Sequence, residues 1–485
     1  MTLARRAARG AAYILVSSYA NMALGLAYGM VMARLLDPEH FGVYGLAAFF
    51  FNLFNLRAKL GLDYALVHRQ PTTEALLATH WALSLASGLA TVGITLIVGL
   101  LLPARRYDPA TAAIMLALSG AMMLEALGST SRAALEKELA FGRSTIVVTG
   151  ALAASYLAAI GLAAAGLRYW ALAGQVAVNA LLGSIGFWWI YRRLPGRLPL
   201  RLALDGDTAC WMLRFGGVMI VGAIATNVLL EFDNFLVGTF AGAAALGYYA
   251  QAYKTAQWPT GLVTHVVSKA SLPTYAKLQD DPDRLSRAFE LSLWLILTVA
   301  TPLALAIFVS APDFLRLLYG DKWLPSAPLL RLLIGYAVLR PILDDTGALF
   351  TAIGQPRKIT TVLVVQAVTL AALATPLTLR FGAPGAAIGV GGAFIVGIGL
   401  TYRFISRTIK LDLFSAFAPP VVAAVGSVSG YLAVAALVDL NALPLFARVV
   451  VKGGLAMALF GVIVLAIERR ALFERLRYLR QTLIG

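Results

Sequence analysis

The residues best suited to chemistry in this chain lie inside apolar segments. The segment 245–272 carries Gln251, Lys254 and Trp258, and at the α-helical period they fall on one stripe that continues to Lys269. Polar side chains on one face of a membrane helix must meet water or protein rather than lipid. The stripe therefore predicts a polar, partly cationic surface able to bind phosphate or sulfate. Snorkelling of Lys254 to the interface is the alternative.

Two further cations lie in apolar segments, and each has a carboxylate four residues later. Arg340 is followed by Asp344, and Lys59 is followed by Asp63. An arginine fork can bind phosphate through two parallel hydrogen bonds. Residues four apart on a helix can also neutralise each other. The sequence leaves both interpretations open, an anion site and a structural ion pair.

A third group of polar residues is amidic and acidic. Asn227, Glu231 and Asn234 share one face of an apolar segment, and Asp233 lies beside them. A carboxylate inside a membrane span needs a proton, a cation or a wet cavity. Glu231 and Asp233 are therefore predicted to exchange protons or Na⁺. Asn21 lies in the middle of the first apolar segment, where small polar side chains also serve helix packing.

The elements that must hold these residues are membrane helices. Of the 485 residues, 60% are hydrophobic and 13% charged, against about 45–50% and 25% in soluble domains. A spanning helix uses about 20 apolar residues, so the composition predicts an all-α polytopic membrane protein with about 14 transmembrane helices. It excludes a soluble enzyme, a disulfide scaffold and a β-barrel. The predicted spans are 11–34, 41–62, 78–102, 108–127, 143–166, 168–190, 215–240, 245–272, 289–311, 326–351, 357–380, 383–407, 415–437 and 446–467.

Charge predicts the orientation of these spans. The net charge is +16, and with a cytoplasmic N-terminus 26 of the 40 Lys and Arg residues fall on the cytoplasmic side and 8 on the other. Both termini are therefore predicted to be cytoplasmic. No segment is long enough for a basic nucleic-acid-binding surface. The single cysteine, Cys210, and four widely spaced histidines predict neither a metal site nor a cofactor.

An internal repeat predicts two lobes. Phe41-Gly42-Val43-Tyr44 returns 205 residues later as Leu246-Gly247-Tyr248-Tyr249. An even number of helices separates the copies, which predicts a pseudo-twofold axis along the membrane normal and a substrate between the lobes. The predicted domains are a six-helix lobe at 1–190, a basic linker at 191–214, a second six-helix lobe at 215–407, and two extra helices with a basic tail at 408–485.

Three stretches carry a resemblance to a known family. Glu231 to Leu285 resembles the central segment of Wzx-like polysaccharide flippases, Ala33 to Ala47 their first helix junction, and Thr351 to Lys358 the loop after their tenth helix. These proteins form the oligosaccharide-lipid branch of the multidrug/oligosaccharidyl-lipid/polysaccharide (MOP) exporter superfamily. Asp233-Asn234 matches that family's helix 7, Arg340 matches more loosely, and the region of Arg57 and Lys59 departs from its pattern.

The resemblance implies a MATE-like arrangement of lobes and a flippase in the bacterial inner membrane. Its cargo would be an undecaprenyl-diphosphate-linked oligosaccharide, moved by alternating access for exopolysaccharide, O-antigen or capsule synthesis. Helices 13 and 14 would form a groove for the polyprenyl tail, and Lys254 and Arg340 would contact the diphosphate or an acidic sugar. Glu231 or Asp233 would couple transport to H⁺ or Na⁺. The predicted substrate-binding residues are Asn21, Lys59, Asn227, Asn234, Gln251, Lys254, Trp258 and Arg340.

Other functions compete with this one. A lipid-linked peptidoglycan-precursor flippase and a cation-coupled multidrug exporter both fit the composition. A membrane glycosyltransferase, polymerase or ligase is disfavoured, because the first outer loop, with Asp37 and Glu39, is only a few residues long. The sequence therefore predicts no enzyme. The expected partners are membrane lipids and the polysaccharide polymerase machinery, with no nucleic acid.

Overall fold

The computed structural model describes residues 3–102, 107–138, 141–409 and 413–484, and every regular element in these ranges is helical. Ten helices among the described residues are long and apolar enough to cross a membrane. The all-helical class is confirmed, whereas the count of fourteen helices stays a prediction. The chain forms two compact units, unit 1 (1–247) and unit 2 (248–485). The predicted domain boundaries at 190, 214 and 407 are not tested by this division and stay predictions.

Unit 1 is built from nine helices and the start of a tenth within its described residues. They are α1 (Leu3–Leu35), α2 (Pro38–Phe54), α3 (Leu56–Lys59), α4 (Leu62–His68), α5 (Glu74–Leu101), α6 (Pro109–Lys137), α7 (Phe141–Ala164), α8 (Tyr169–Arg192), α9 (Gly206–Phe240) and the beginning of α10 (Ala243–Ala256). Helix α6 packs against α2, α5 and α8, while α9 packs against α2 to α5.

Capping side chains define where several helices begin. Thr73, Asp108 and Asp205 accept hydrogen bonds from the first turns of α5, α6 and α9, which otherwise leave backbone N–H groups unpaired. Hydrogen bonds from the hydroxyl and backbone N–H of Thr208 hold the pKa of the Asp205 carboxyl below its usual range. The basic segment before α9 is therefore fixed at its end by an ionised cap.

The predicted helix at 41–62 is wrong in its continuity. The structure instead contains α2, α3 and α4, which are separated at Asn55 and Gly61. Asn55 is extended, with ψ 90°, and its side chain caps α3 by accepting from the Ala58 N–H. Gly61 has φ 56°, a left-handed conformation that suits glycine. Lys59 and Asp63, which are four residues apart, therefore lie on two different helices, α3 and α4.

The two copies of the repeated junction meet each other inside unit 1. A Cβ added to Gly42 would lie 1.7 Å from the Ala243 carbonyl oxygen, and one added to Gly247 would lie 1.8 Å from the Pro38 carbonyl oxygen. Positions 38 and 42 correspond to 243 and 247 at the repeat offset of 205. The glycine of each copy thus packs on the backbone of the other. The pseudo-twofold relation of whole lobes stays a prediction.

Unit 2 contains the rest of α10 and eight further helices within its described residues. They are α11 (Trp258–Leu278), α12 (Pro282–Tyr319), α13 (Ser326–Ala337), α14 (Arg340–Ala352), α15 (Pro356–Phe381), α16 (Ala383–Ile405), α17 (Leu413–Leu437) and α18 (Leu445–Ile484). Helix α12 is central, because it packs against α11, α13, α17 and α18. Phe289 on α12 is fully buried together with Leu349 and Phe350 of α14.

Two predicted spans of unit 2 are also interrupted. The predicted helix 245–272 divides at Gln257, and the predicted helix 326–351 divides at Val338 and Leu339. Each interruption comes just before a proline in the first turn of the next helix, Pro259 or Pro341. Proline lacks the N–H that a continuous helix needs and clashes with the preceding turn. The stripe predicted from Gln251 to Lys269 crosses the interruption at Gln257, whose backbone stays right-handed helical with φ −82° and ψ −9°. It stays a prediction, because the side chains at 262–266, 268 and 269 lie outside the described ones.

The close packing between the two repeated junctions can be tested by Gly247→Ala. The added methyl group would meet the Pro38 carbonyl oxygen at 1.8 Å, so backbone must move at a cost of about 1–3 kcal/mol. We expect a lower thermal unfolding midpoint for the purified protein in detergent. Gly150→Ala is the matched control, because a Cβ there would meet nothing within 4 Å. An unchanged midpoint for Gly247→Ala would contradict the packing described here.

Candidate functional site

The two interruptions of unit 2 border one small cavity. Its volume of about 10 Å³ corresponds to a single water-sized space. Gln257 contributes the first interruption and Arg340 follows the second. Interrupted membrane helices often form the ion and substrate sites of transporters. The lining residues are Tyr253, Ala256, Gln257, Leu333, Tyr336, Ala337, Arg340, Val390 and Phe394.

Local hydrogen bonds hold each interruption in place. The Gln257 carbonyl accepts from the Gly261 N–H at 2.9 Å and from the Thr260 hydroxyl at 3.0 Å. At the second interruption, the Leu339 N–H donates to the Tyr336 carbonyl at 3.0 Å. The freed backbone groups are thus paired, as a hydrocarbon environment requires. Arg340 is consequently held at the first position of α14.

Arg340 brings a cation to this cavity. Within the described part of the chain, no carboxylate lies at ion-pair distance from the half-buried Arg340, although Asp344 interacts with its charge at longer range. The guanidinium therefore keeps its hydrogen-bond donors available for a ligand. Lys254 lies one turn before Gln257 and is exposed. Lys254 thus precedes the first interruption, Arg340 follows the second, and of the two only Arg340 lines the cavity.

The two other predicted residues of unit 2 are engaged in packing. The Gln251 carbonyl accepts from the Thr255 hydroxyl at 2.8 Å, and the Gln251 side chain is buried. The Trp258 ring meets Phe314 and Tyr319 edge to face, with centroids 6.1 and 6.4 Å apart. Trp258 therefore fixes the start of α11 against α12. Its predicted contact with substrate stays a prediction.

An apolar groove opens on the other side of the second interruption. Its volume is about 460 Å³, and its walls come from α12, from residues 334–339, and from α17. Leu339 lines the groove, while the next residue, Arg340, lines the small cavity. The groove residues are Leu297, Thr301, Ala304, Leu305, Phe308, Ile334, Gly335, Val338, Leu339, Phe417, Pro420, Val421, Ala424, Val425, Val428 and Ser429.

A buried charge cluster anchors the helix behind this groove. On α12, Asp313 pairs with Arg448 at 3.0 Å and with Lys452 at 2.7 Å on α18. Asn441 accepts from Lys452 at 2.8 Å, and its carbonyl accepts from Arg448 at 2.7 Å. Since α17 packs on both α12 and α18, the cluster fixes the frame in which the groove forms.

The predicted ion-coupling residues lie together on α9. The Asn234 amide donates to Glu231 Oε2 at 3.0 Å, and the Asn234 N–H donates to Asp233 Oδ1 at 2.9 Å. Asp233 is buried. The amide oxygens of Asn227 and Asn234 are buried without a hydrogen-bond partner among the described residues. These oxygens and the Glu231 carboxylate are hard ligands of the kind that protons and Na⁺ prefer.

Lys59 and Asn21 differ in their surroundings. Lys59 is buried and donates to the carbonyl of Asn52, and its ammonium lies 3.4 Å from the Asn55 carbonyl oxygen. It thus stabilises the end of α2. The Asn21 amide oxygen on α1 is buried without a hydrogen-bond partner among the described residues. A substrate role stays a prediction for both residues.

Sequence reasoning missed a chain of charges in unit 1. Glu125 on α6 lies 3.6 Å from Arg57 and 3.9 Å from Arg132, and Arg57 lies 3.8 Å from Asp63. The imidazole of His80 continues the chain, 3.1 Å from Asp63. Glu125 and Arg132 are seven residues apart, hence on one helical face, and this spacing could have revealed them. Among the described residues, no three His, Cys, Asp or Glu side chains are grouped to hold a metal ion.

The fold identifies the class of protein. A solved structure of the lipid II flippase MurJ in an inward closed conformation matches with a TM-score of 0.76 at 13% identity, over 94% of this chain and 99% of that one. An inward-facing multidrug resistance MATE family transporter of the MOP superfamily matches with a TM-score of 0.66 at 16% identity, over 80% and 94%. The chain therefore has the fold of MOP superfamily transporters and is a multi-pass membrane protein.

The sequence then identifies the family. The chain belongs to the polysaccharide biosynthesis protein family, whose model matches residues 31–328. It is 25% identical to the lipopolysaccharide biosynthesis protein WzxC of Escherichia coli K12, over 73% of this chain and 71% of that protein. It is 24% identical to the succinoglycan biosynthesis transport protein ExoT of Rhizobium meliloti, over 70% and 68%. The resemblance noted from the sequence is confirmed.

The anchoring role of Asp313 can be tested by Asp313→Ala. The change leaves the largely buried cations of Arg448 and Lys452 uncompensated, and breaking such a pair costs about 3–5 kcal/mol. We expect a clear loss of thermal stability in detergent. Asp321→Ala is the control, because Asp321 pairs with Arg316 while 74% exposed, and such pairs contribute about 0–1 kcal/mol. Equal effects of the two changes would contradict the anchoring role.

Proposed function

We propose that this protein is a flippase for undecaprenyl-diphosphate-linked oligosaccharide in the bacterial inner membrane, serving exopolysaccharide, O-antigen or capsule synthesis. The observation that carries the proposal is the second interruption of unit 2. There, consecutive residues Leu339 and Arg340 line an apolar groove and a cavity whose guanidinium has no carboxylate at ion-pair distance among the described residues. A ligand that uses both must be an amphiphile with an anionic group next to a long apolar chain.

A polyprenyl diphosphate has this chemistry. Its tail can lie in the groove, since the groove walls are almost wholly apolar. Its diphosphate suits Arg340, because a guanidinium binds phosphate through paired, charge-assisted hydrogen bonds. Lys254, an exposed residue one turn before Gln257, is the second cation that we assign to the same diphosphate. The confirmed family and its relatives in lipopolysaccharide and succinoglycan biosynthesis support a saccharide as the remainder of the cargo.

The transport cycle is part of the proposal. The protein alternates between inward-facing and outward-facing states, with both termini cytoplasmic, and delivers the cargo to the periplasmic leaflet and the polymerase machinery. An H⁺ or Na⁺ gradient drives the cycle through Glu231 and Asp233. The polar group on α9 supports this assignment, because the Glu231 carboxylate lies beside amide oxygens that have no other partner among the described residues.

A lipid-linked peptidoglycan precursor is the second candidate cargo. The groove and Arg340 fit any polyprenyl diphosphate, and the fold resembles that of the lipid II flippase MurJ. A multidrug exporter, in contrast, has no need of a groove beside a guanidinium. Identifying the cargo therefore distinguishes these functions.

A deletion strain tests the function, with its undecaprenyl-linked intermediates analysed by mass spectrometry. We expect complete lipid-linked repeat units to accumulate, because synthesis continues while flipping stops. Arg340→Ala should fail to restore a normal pool, since the loss of charge-assisted bonds to phosphate weakens binding roughly 10- to 100-fold. Arg340→Lys should restore it in part.

The control variant is Arg380→Ala, an exposed arginine on α15, which should restore the pool fully at equal expression. Accumulation of peptidoglycan precursor would favour the second candidate cargo. Truncated intermediates would instead indicate an enzyme of assembly. An unchanged pool in a strain without a second flippase would refute the proposal.

Ion coupling is tested by Glu231→Gln in proteoliposomes with imposed H⁺ or Na⁺ gradients. We expect the wild-type rate to rise with one gradient and the variant rate to be independent of it, because glutamine cannot exchange a proton or neutralise a cation. Glu290→Gln is a control on α12, in unit 2. If the wild type and Glu231→Gln respond equally to both gradients, Glu231 has no part in coupling.

A further inference from the structure

We propose that a polar cavity inside unit 1 binds a neutral glycosyl group of the cargo. The proposal rests on the proposed function in one respect, namely that the cargo carries sugars. The cavity lies among α2, α6, α7 and α8 and has a volume of about 250 Å³. We call it the unit 1 cavity. It belongs to unit 1 alone and contains none of the residues predicted from the sequence to bind substrate.

The size of the unit 1 cavity limits what it can hold. Pockets for drug-sized ligands measure about 300–1,000 Å³, so 250 Å³ suits one compact group rather than a whole repeat unit. Phe51 and Phe187 lie on its walls together with small residues of α7 and α8, such as Ala151 and Gly183. Aromatic rings offer an apolar face on which the C–H face of a pyranose can pack.

Its polar lining matches hydroxyl groups. Asn179 lines the cavity, and its amide makes no hydrogen bond within the described part of the chain. An amide offers both donors and an acceptor, which fits neighbouring hydroxyls of a sugar ring. Ser129 and Ser184 also line the cavity, but their hydroxyls already donate to carbonyls at 2.8 and 2.7 Å. They can therefore serve as acceptors for further hydroxyls.

The charges of the cavity favour a neutral ligand. Glu125 lies between Arg57 and Arg132, at 3.6 and 3.9 Å. Arg57 also approaches Asp63, and Arg132 donates to Glu136 at 2.9 Å. Each guanidinium thus already has carboxylate neighbours that compensate its charge, although the Arg57 Nε is buried without a hydrogen-bond partner among the described residues. We therefore expect a neutral ligand to be favoured over an acidic sugar or a phosphate. Arg340 differs, because its carboxylate neighbour within the described residues, Asp344, lies beyond ion-pair distance.

Glu125 still has room for hydroxyl donors. Its contacts with Arg57 and Arg132 exceed 3.5 Å, whereas a charge-assisted hydrogen bond measures about 2.7–2.9 Å. Its side chain is 49% exposed although α6 is otherwise mostly buried there. Carboxylate oxygens in such loose contacts can accept from sugar hydroxyls without disrupting the charge chain. Glu125 and Asn179 are therefore the assigned sugar-binding residues.

The test measures binding to the purified full chain in nanodiscs. The probes are polyprenyl diphosphate without sugar and the same lipid carrying glucose, galactose, N-acetylglucosamine or glucuronic acid. We expect at least one neutral sugar to tighten binding about 5- to 10-fold over the bare diphosphate, and glucuronic acid not to do so. Asn179→Leu should remove that gain and leave the affinity for the bare diphosphate unchanged.

Two control variants separate sugar recognition from folding. Gln175→Leu makes the same chemical change one turn earlier on α8, where the amide already donates to Ser155 at 3.1 Å, and should keep the gain. Ala151→Phe should fill the unit 1 cavity and abolish the gain. Leu157→Phe, at a side chain that is 72% exposed on the same helix, should not.

The outcomes separate this inference from the proposed function. If the bare diphosphate binds but no neutral sugar tightens binding, or if Asn179→Leu keeps the gain, the sugar site is refuted and the flippase proposal stands. The tightest binding by glucuronic acid would also refute it. Failure of every probe to bind the wild type, or an affinity for the bare lipid that Arg340→Ala leaves unchanged, would refute the cargo proposal and the sugar site with it.

Discussion

A helix inside a hydrocarbon layer can be interrupted only where other groups take over the hydrogen bonds that the interruption releases. This chain meets that constraint at two interruptions, the one at Asn55 and the one at Gln257. The Asn52 carbonyl receives the Lys59 ammonium, the Leu56 N–H donates to the Thr91 hydroxyl at 3.1 Å, and the Gln257 carbonyl accepts two bonds from α11. Polar side chains thus lie next to interruptions where these backbone groups already have hydrogen-bond partners.

The interruption before α14 matters most for function, because it separates two environments within one residue step. Leu339 belongs to an apolar groove, and Arg340 belongs to a water-sized cavity. Both Val338 and Leu339 keep right-handed helical backbone angles, so Leu339 and Arg340 project about 100° apart, as neighbours on a helix do. Pro341 fixes the interruption, since it cannot supply the N–H of a regular turn. The segment around Leu339 and Arg340 can therefore contact both the apolar chain and the anionic group of one ligand.

The sequence predicted the start of a helix accurately where an apolar run alone determines it. The predicted starts at 108, 168, 326 and 383 differ from the observed helix starts at 109, 169, 326 and 383 by at most one residue. The interruptions at Asn55 and Gln257 did not follow, because hydrophobic periodicity carries no signal for a helix that stops and restarts. Arg340 was singled out by its residue type, and its role in binding stays a prediction. The chain of Arg57, Glu125 and Arg132 depends on tertiary packing of α3 against α6, and each member alone resembled an ordinary interfacial charge.

The apolar groove has a consequence for selectivity. It lies in a protein surrounded by lipid, and its 460 Å³ will hold an acyl chain of an ordinary phospholipid whenever no cargo is present. Replacing one hydrocarbon chain by another changes little apolar contact, because lipid tails are as apolar as the side chains that line the groove. Entry of cargo is therefore an exchange against an enormous excess of competing lipid. The tail determines where such a ligand lies, and only its polar end can determine which lipid the protein binds selectively.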